Sequence, residues 1–226
     1  SAPREHGCHG RWPRLTSMQF SEEQRAIQDT ATRFAAAELA PHYQQRDREE
    51  RLDRDLFARM GQLGLLGADQ PEEYGGLNAG CVTAGIVMEC VAHADINVGY
   101  VPLLNGLAGH VLSQHASAEL AGELMPRLIS GEILVALGLT EPRGGSDAAN
   151  LELKATRDGD AFVLEGEKTS ISFATQADGI ILFARTGGPG AGGVSAFYVD
   201  LTSPGISRSA FSDVGSHIVG RGSIRF

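Results

Sequence analysis

Residues 129–147 read Ile-Ser-Gly-Glu-Ile-Leu-Val-Ala-Leu-Gly-Leu-Thr-Glu-Pro-Arg-Gly-Gly-Ser-Asp, ISGEILVALGLTEPRGGSD, and the hydrophobic period of the chain changes inside this stretch. Upstream of Gly131 apolar residues recur at helical spacing. Downstream they come in short β-branched and aromatic runs separated by turn residues. Helices followed by strands, without regular alternation, predict an α+β architecture rather than a βαβ array. The boundary is expected near Gly131.

Working upstream, SAELAGELMPRLISGE, INVGYVPLLNGLAGHVLSQH and CVTAGIVMECVAHA read as helices, with the middle one apolar on nearly all sides and therefore central. ADQPEEYGGLNAG is a turn-rich link, and DRDLFARMGQLGLLG precedes it as a further helix. The first helix opens at Ser21, an N-cap with Gln24 at capping-box spacing. It repeats through Ile27, Thr30, Ala31, Phe34 and Leu39, and Pro41 is expected to end it. Residues 1–17 carry three arginines, two histidines and two prolines with no apolar run, which is unlike a secretory signal. They are expected to be a disordered leader or an appended tail ahead of Met18.

Working downstream, ILVALGL, LKATRDGDAFVLEGEKTSIS, GIILFART, VSAFYVDL, ISRSAF and GSIRF are strand candidates. Asp158-Gly159 marks a tight hairpin, and Ser203-Pro204-Gly205 another turn. The expected division is a helical domain over 18–131 and a β domain over 132–226, the latter ending inside a strand. Such an ending suggests a fragment or a completing partner.

At 226 residues the chain can bury a real core. A formal net charge of −9 argues against sequence-independent nucleic-acid binding and against an anionic membrane surface. Three cysteines without a Cys-x-x-Cys pair give neither a disulfide framework nor a zinc site. Cys81 and Cys90 read as buried thiols, and a cytoplasmic setting fits. No apolar run reaches membrane-spanning length.

Three motifs compete for the chemistry. Gly188–Gly193 matches G-x-G-x-x-G after a strand, but a strand follows it rather than the helix that would meet a pyrophosphate, so it reads as a hairpin loop. Ser146 lacks the last glycine and the strand–elbow–helix setting of a hydrolase nucleophile. No histidine pair has metal-ligand spacing with a supporting carboxylate motif. The loop from Leu139 to Asp147 remains. Gly144 and Gly145 permit close backbone approach, successive N–H groups can cradle phosphate oxygens, and Thr140 and Ser146 add hydroxyls. A second segment, GEKTSIS over 166–172, turns at Gly166 and should present Ser170 and Ser172 on one strand face.

Taken in order, LTEPRGGSDAANLELKATRDGDAFVLEGEKTSIS and the upstream MGQLGLLGADQPEEYGGLNAG resemble the acyl-CoA dehydrogenase family, whose pattern is T-E-P-x-x-G-S-D followed by G-x-K-x-W-I-[TS]. The resemblance runs from about Phe20 to Phe226. It implies a helical N-terminal domain, a β-barrel-like, antiparallel β middle domain, and absence of the family's C-terminal four-helix domain. It implies FAD as cofactor, an acyl-CoA substrate oxidised to its 2-enoyl form, a homo- or hetero-oligomer, and an electron-transfer flavoprotein or similar acceptor. Leu137, Leu139, Thr140, Gly145, Ser146, Ser170, Ile171 and Ser172 are the implied flavin contacts, with Ser146 also on the CoA side. Glu141 is implied to be structural, tied to loop charges such as Arg143. The general base is expected beyond Phe226.

Two departures bear on specificity. Ser170 stands where the family has tryptophan, which suggests room for a bulkier, branched or cyclic acyl group. Arg143 replaces a small residue and is expected in solvent, with a CoA phosphate as the alternative partner. Two other functions share these features: a flavin monooxygenase or nitroalkane-oxidase relative, and a non-catalytic partner subunit.

Overall fold

The computed structural model describes residues 19–226. The expectations for residues 1–17 and for Met18 lie outside that range. The helical half comprises α1 (Glu22–Phe34), α2 (Tyr43–Glu49), α3 (Arg54–Gln62), α4 (Gly80–Ala94), α5 (Ile96–His115) and α6 (Ala118–Ile129). The capping box of α1 forms as the sequence predicts: Gln24 N–H donates to Ser21 Oγ at 3.1 Å, and Ser21 N–H donates to Gln24 Oε1 at 3.0 Å.

Pro41 does not end the helical path. The chain widens into a π turn at Ala35–Leu39, tightens into a 3₁₀ turn at Ala40–His42, and re-enters α2. Proline is tolerated there because it occupies the first turn of the new segment, where its missing N–H has no helical partner. The carbonyls this break leaves open are taken by a side chain. Arg46 donates to the carbonyls of Glu38 and Leu39 and pairs with Asp95 at 2.7 Å, with both side chains almost fully buried. Asp95 also caps α5, accepting from Asn97 N–H at 3.0 Å.

The α5 helix is central as its composition predicts, burying Val98, Val101, Leu104, Ala108 and Leu112. The α3 helix stops at Gln62, short of the expected run. Its Gly61 lies against the backbone of Ser130, and Gly131 (φ +77°) lies against Phe57. Each has no room for a Cβ, so the change of period at Gly131 is also where two backbones touch. Cys81 is exposed in the first turn of α4 rather than buried, and Cys90 is half-buried.

The β half has two sheets. The first is built on β5 (Gly179–Arg185), which pairs antiparallel with β6 (Val194–Asp200) on one side. On the other side it runs parallel to β1 (Val135–Gly138) and touches β2 (Lys154–Asp158) through Arg185. The hairpin of β2 and β3 (Ala161–Glu165) closes at Asp158↔Ala161, with Gly159 at φ +60°. Residues 188–193 are the loop between β5 and β6, without an α-helix. The second sheet is antiparallel in the order β4 (Glu167–Ile171), β8 (Gly222–Arg225), β7 (Ser207–Ala210). GSIRF is therefore an inner strand rather than an open edge.

Ala136, Ile180, Leu182, Ile171 and Ile224 of both sheets share one apolar cluster with Phe57, Met60, Val98 and Leu104 of the helices. Polar contacts reinforce the junction. Arg54 pairs with Asp178 at 2.9 Å, Asp178 accepts from Leu134 N–H at 2.8 Å, and Gln176 accepts from Leu52 N–H at 3.0 Å. No helix among the described residues is long and apolar enough to cross a membrane.

Candidate functional site

Strand β1 ends at Gly138, and the next nine residues leave the sheet as a tight loop. Glu141 and Gly144 bond reciprocally through their backbones, at 3.1 and 2.9 Å. Gly144, at φ +154°, lies in open space. Gly145 is pressed against Thr140, where a Cβ would stand 2.9 Å from Oγ1. Gly144 is used for conformation as the sequence predicts, whereas the close approach at Gly145 is to Thr140 of the same loop.

The loop is tied to β4 by three contacts. Thr169 N–H donates to the Thr140 carbonyl at 2.8 Å. Lys168 Nζ donates to the Leu139 carbonyl at 3.1 Å and to Glu141 Oε1 at 2.9 Å. Glu141 is not tied to Arg143. Its carboxylate also accepts from Glu152 N–H at 2.7 Å and Leu153 N–H at 2.8 Å. Burial pushes the Glu141 carboxyl up, but the hydrogen bonds from Leu153, Lys168 and Glu152 outweigh it and hold the group below its ordinary value. Burial pulls the Lys168 ammonium down, and Glu141 opposes that pull. Arg143 lies in solvent, paired with Glu152 at 2.7 Å.

The alternation expected for Ser170 and Ser172 is broken. Lys168 faces Ile224 and Ile171 faces Gly222, so two residues of β4 oppose Ser223 alone. This is a β-bulge, a device common beside active sites. Ser170 takes φ +56° within it and is exposed; Ile171 turns its side chain into the core, leaving only its backbone for a ligand; Ser172 is half-buried. Phe173 follows at φ +59°. Two non-glycine residues in the left-handed region within four positions concentrate strain on this wall.

Leu137, Leu139, Thr140 and Gly145 are half-buried, and Ser146 is exposed. Leu137 pairs with Ile181 in the sheet and packs on the apolar clusters. The hydroxyls of Thr140, Ser146, Ser170 and Ser172 make no hydrogen bond within the described residues. They belong to two segments that Lys168 and Thr169 hold together. Unpartnered donor–acceptor hydroxyls on two segments held together, with two glycines in the loop, fit a polar ring edge and phosphate oxygens. They do not fit a serine nucleophile, because no histidine among the described residues bonds Ser146. Among the described residues no cluster of His, Cys, Asp and Glu is placed to hold a metal ion.

The site is a wall and not an enclosed cavity. Grooves lie elsewhere in both halves: one of about 700 Å³ between Asn150, Glu152, Lys154 and Arg185 in the β half, and two of about 600 and 430 Å³ beside His93 in the helical half. Lys168 and Thr169 are the positions that sequence reasoning passed over. A charged residue in a strand reads as solvent-facing; the signal that could have found Lys168 is a complementary Glu141 in the preceding motif.

Comparison with known proteins supplies the lineage. Residues 21–132 match the description "Acyl-CoA dehydrogenase, N-terminal domain", and residues 136–226 match "Acyl-CoA dehydrogenase, middle domain". Mitochondrial isovaleryl-CoA dehydrogenase of Pongo abelii is 34% identical over 196 residues, 84% of this chain and 46% of that protein. Mitochondrial isobutyryl-CoA dehydrogenase of Bos taurus is 34% identical over 191 residues, again 84% and 46%. The crystal structure of acyl-CoA dehydrogenase from Geobacillus kaustophilus matches with a TM-score of 0.87 at 28% identity, over 93% of this chain and 57% of that one. The chain spans about half the length of the curated relatives it matches. With both domain matches together spanning nearly the whole of residues 21–226, the chain belongs to the acyl-CoA dehydrogenase family.

Proposed function

We propose that this chain forms part of the flavin and acyl-CoA thioester site of an FAD-dependent acyl-CoA dehydrogenase. The observation that carries the reading is that Thr140, Ser146, Ser170 and Ser172, whose hydroxyls have no partner among the described residues, stand on two segments tied by Lys168. Dehydrogenases of this family are FAD-dependent. Bound FAD would supply the electron acceptance needed for α,β-dehydrogenation of the thioester.

The chain's own residues bind and orient. Leu139 and Thr140 line the ring edge, Gly145 and Ser146 receive the pyrophosphate and the CoA side, and Ser170 through Ser172 face the ring from the bulged strand. Ile171 contributes its backbone alone, since its side chain is core. Glu141 is a poor candidate for the general base, because backbone N–H groups and Lys168 already engage its carboxylate. The general base is assigned beyond Phe226, as the family resemblance implies, and the electron acceptor and partner subunits are separate chains. The exposed Ser170 leaves space beside the ring, and two relatives are by name dehydrogenases of branched short-chain acyl-CoAs. A branched acyl group is the substrate class that fits.

Titration of the chain with FAD, followed by flavin fluorescence, tests the reading. Saturable binding that weakens about tenfold in Thr140→Ala is expected, the scale of one lost hydrogen bond in a desolvated site. Binding that never saturates, or that ignores Thr140, sinks it.

A further inference from the structure

Lys168 has no solvent exposure, although its neighbours Glu167 and Thr169 are only half-buried and Ser170 is exposed. A buried ion pair gives little net stability, because desolvation offsets the attraction, and apolar replacements of similar size are often as stable. Stability alone therefore does not account for this one. Its geometry suggests another use. Of the three donors on Nζ, one holds the Glu141 carboxylate and one holds the Leu139 carbonyl. Glu141 in turn anchors the N–H groups of Glu152 and Leu153 at the far end of the loop. The next residue of β4, Thr169, holds the Thr140 carbonyl, and Ser223 Oγ donates to its hydroxyl at 2.9 Å from the neighbouring strand. Two successive carbonyls of the loop are thus fixed by two successive residues of β4. The orientation of the Leu139–Thr140 peptide, and with it the direction of the Thr140 side chain, is set from behind.

We propose that the buried Lys168–Glu141 pair is a positioning device for the flavin wall, fixing the Leu139–Thr140 peptide so that its outer face is preformed for the ring edge. This rests on the flavin reading given above. Lys168 and Glu141 are positioning residues: they touch neither cofactor nor substrate, and they act through Leu139 and Thr140. The pair joins the two sequence motifs into one rigid surface, so neither motif alone specifies the site.

Two variants separate positioning from plain stability. Lys168→Met leaves the buried Glu141 uncompensated and is open to failure in folding. The double variant Lys168→Met/Glu141→Gln removes both charges and keeps an acceptor for the loop amides. Three readouts are taken on the full chain: thermal midpoint, FAD affinity by fluorescence titration, and amide exchange of Thr169 and of residues 139–145 without flavin. The double variant is expected to melt close to wild type, to exchange the Thr169 amide at least about tenfold faster, and to bind FAD about tenfold more weakly. Unchanged exchange, or wild-type FAD affinity in a folded double variant, overturns the proposal. Should the wild-type chain fail to bind FAD, the flavin reading fails, while amide exchange still decides whether the pair fixes the loop.

Discussion

The helical and β halves of this chain each bury an ion pair, and the two pairs do different work. Arg46–Asp95 closes a joint. Its guanidinium satisfies carbonyls freed by the break after Ala35, and its carboxylate caps α5. Everything it touches is scaffold. Lys168–Glu141 also satisfies backbone groups, but the loop it fixes carries Thr140 and Ser146, whose hydroxyls have no partner in the fold. The same chemical device therefore serves packing in one half and presentation of a surface in the other. What distinguishes them is what stands on the far side of the backbone being held.

The comparison is broken most forcefully at Asp95. Asp95→Ala leaves Arg46 buried without its counter-ion and removes the α5 cap, and should cost about 3–5 kcal/mol in denaturant unfolding. A loss below about 1 kcal/mol means the joint is not held as described. A smaller effect should appear on acidification. The Glu141 carboxyl is depressed in the folded chain, so its stabilising contribution is complete above the unfolded value of about 4.3 and is lost as pH falls through the lower folded value. As pH falls below about 4.3 the wild type should lose more stability than Lys168→Met/Glu141→Gln. Parallel acid limbs in the two proteins contradict this. The smallest change concerns Ser170. Its φ of +56° disfavours a side chain, so Ser170→Gly should raise stability by about 0.5 kcal/mol, read from denaturant midpoints. A clear loss would mean that the serine makes contacts which offset its strain.

Much of this was legible in the sequence, for local reasons. The capping box at Ser21, the apolar α5 and the Asp158-Gly159 hairpin depend on neighbours within a few residues, and all three form. What escaped depends on distant partners. Pro41 failed to end the helical path because Arg46 and Asp95 support the break from elsewhere. The parallel pairing of β1 with β5 brings together segments some forty residues apart, which no periodicity records. Within the site, the glycines and hydroxyls of the Leu139–Asp147 loop announce a polar ligand. The bulge that exposes Ser170 and buries Ile171 is set by register with β8, which is invisible in GEKTSIS alone.

That register has a kinetic side. β4 meets β8, its one sheet neighbour among the described residues, through Lys168↔Ile224 and Ile171↔Gly222, some fifty residues further along the chain. The α4–α5 and α5–α6 pairs, by contrast, join neighbours in the chain. Closing the longer loop is entropically slower, and β4 has no strand to pair with until the residues of β8 have been made. The helical scaffold can therefore be in place while the paired form of β4, which carries Ser170, is still unmade.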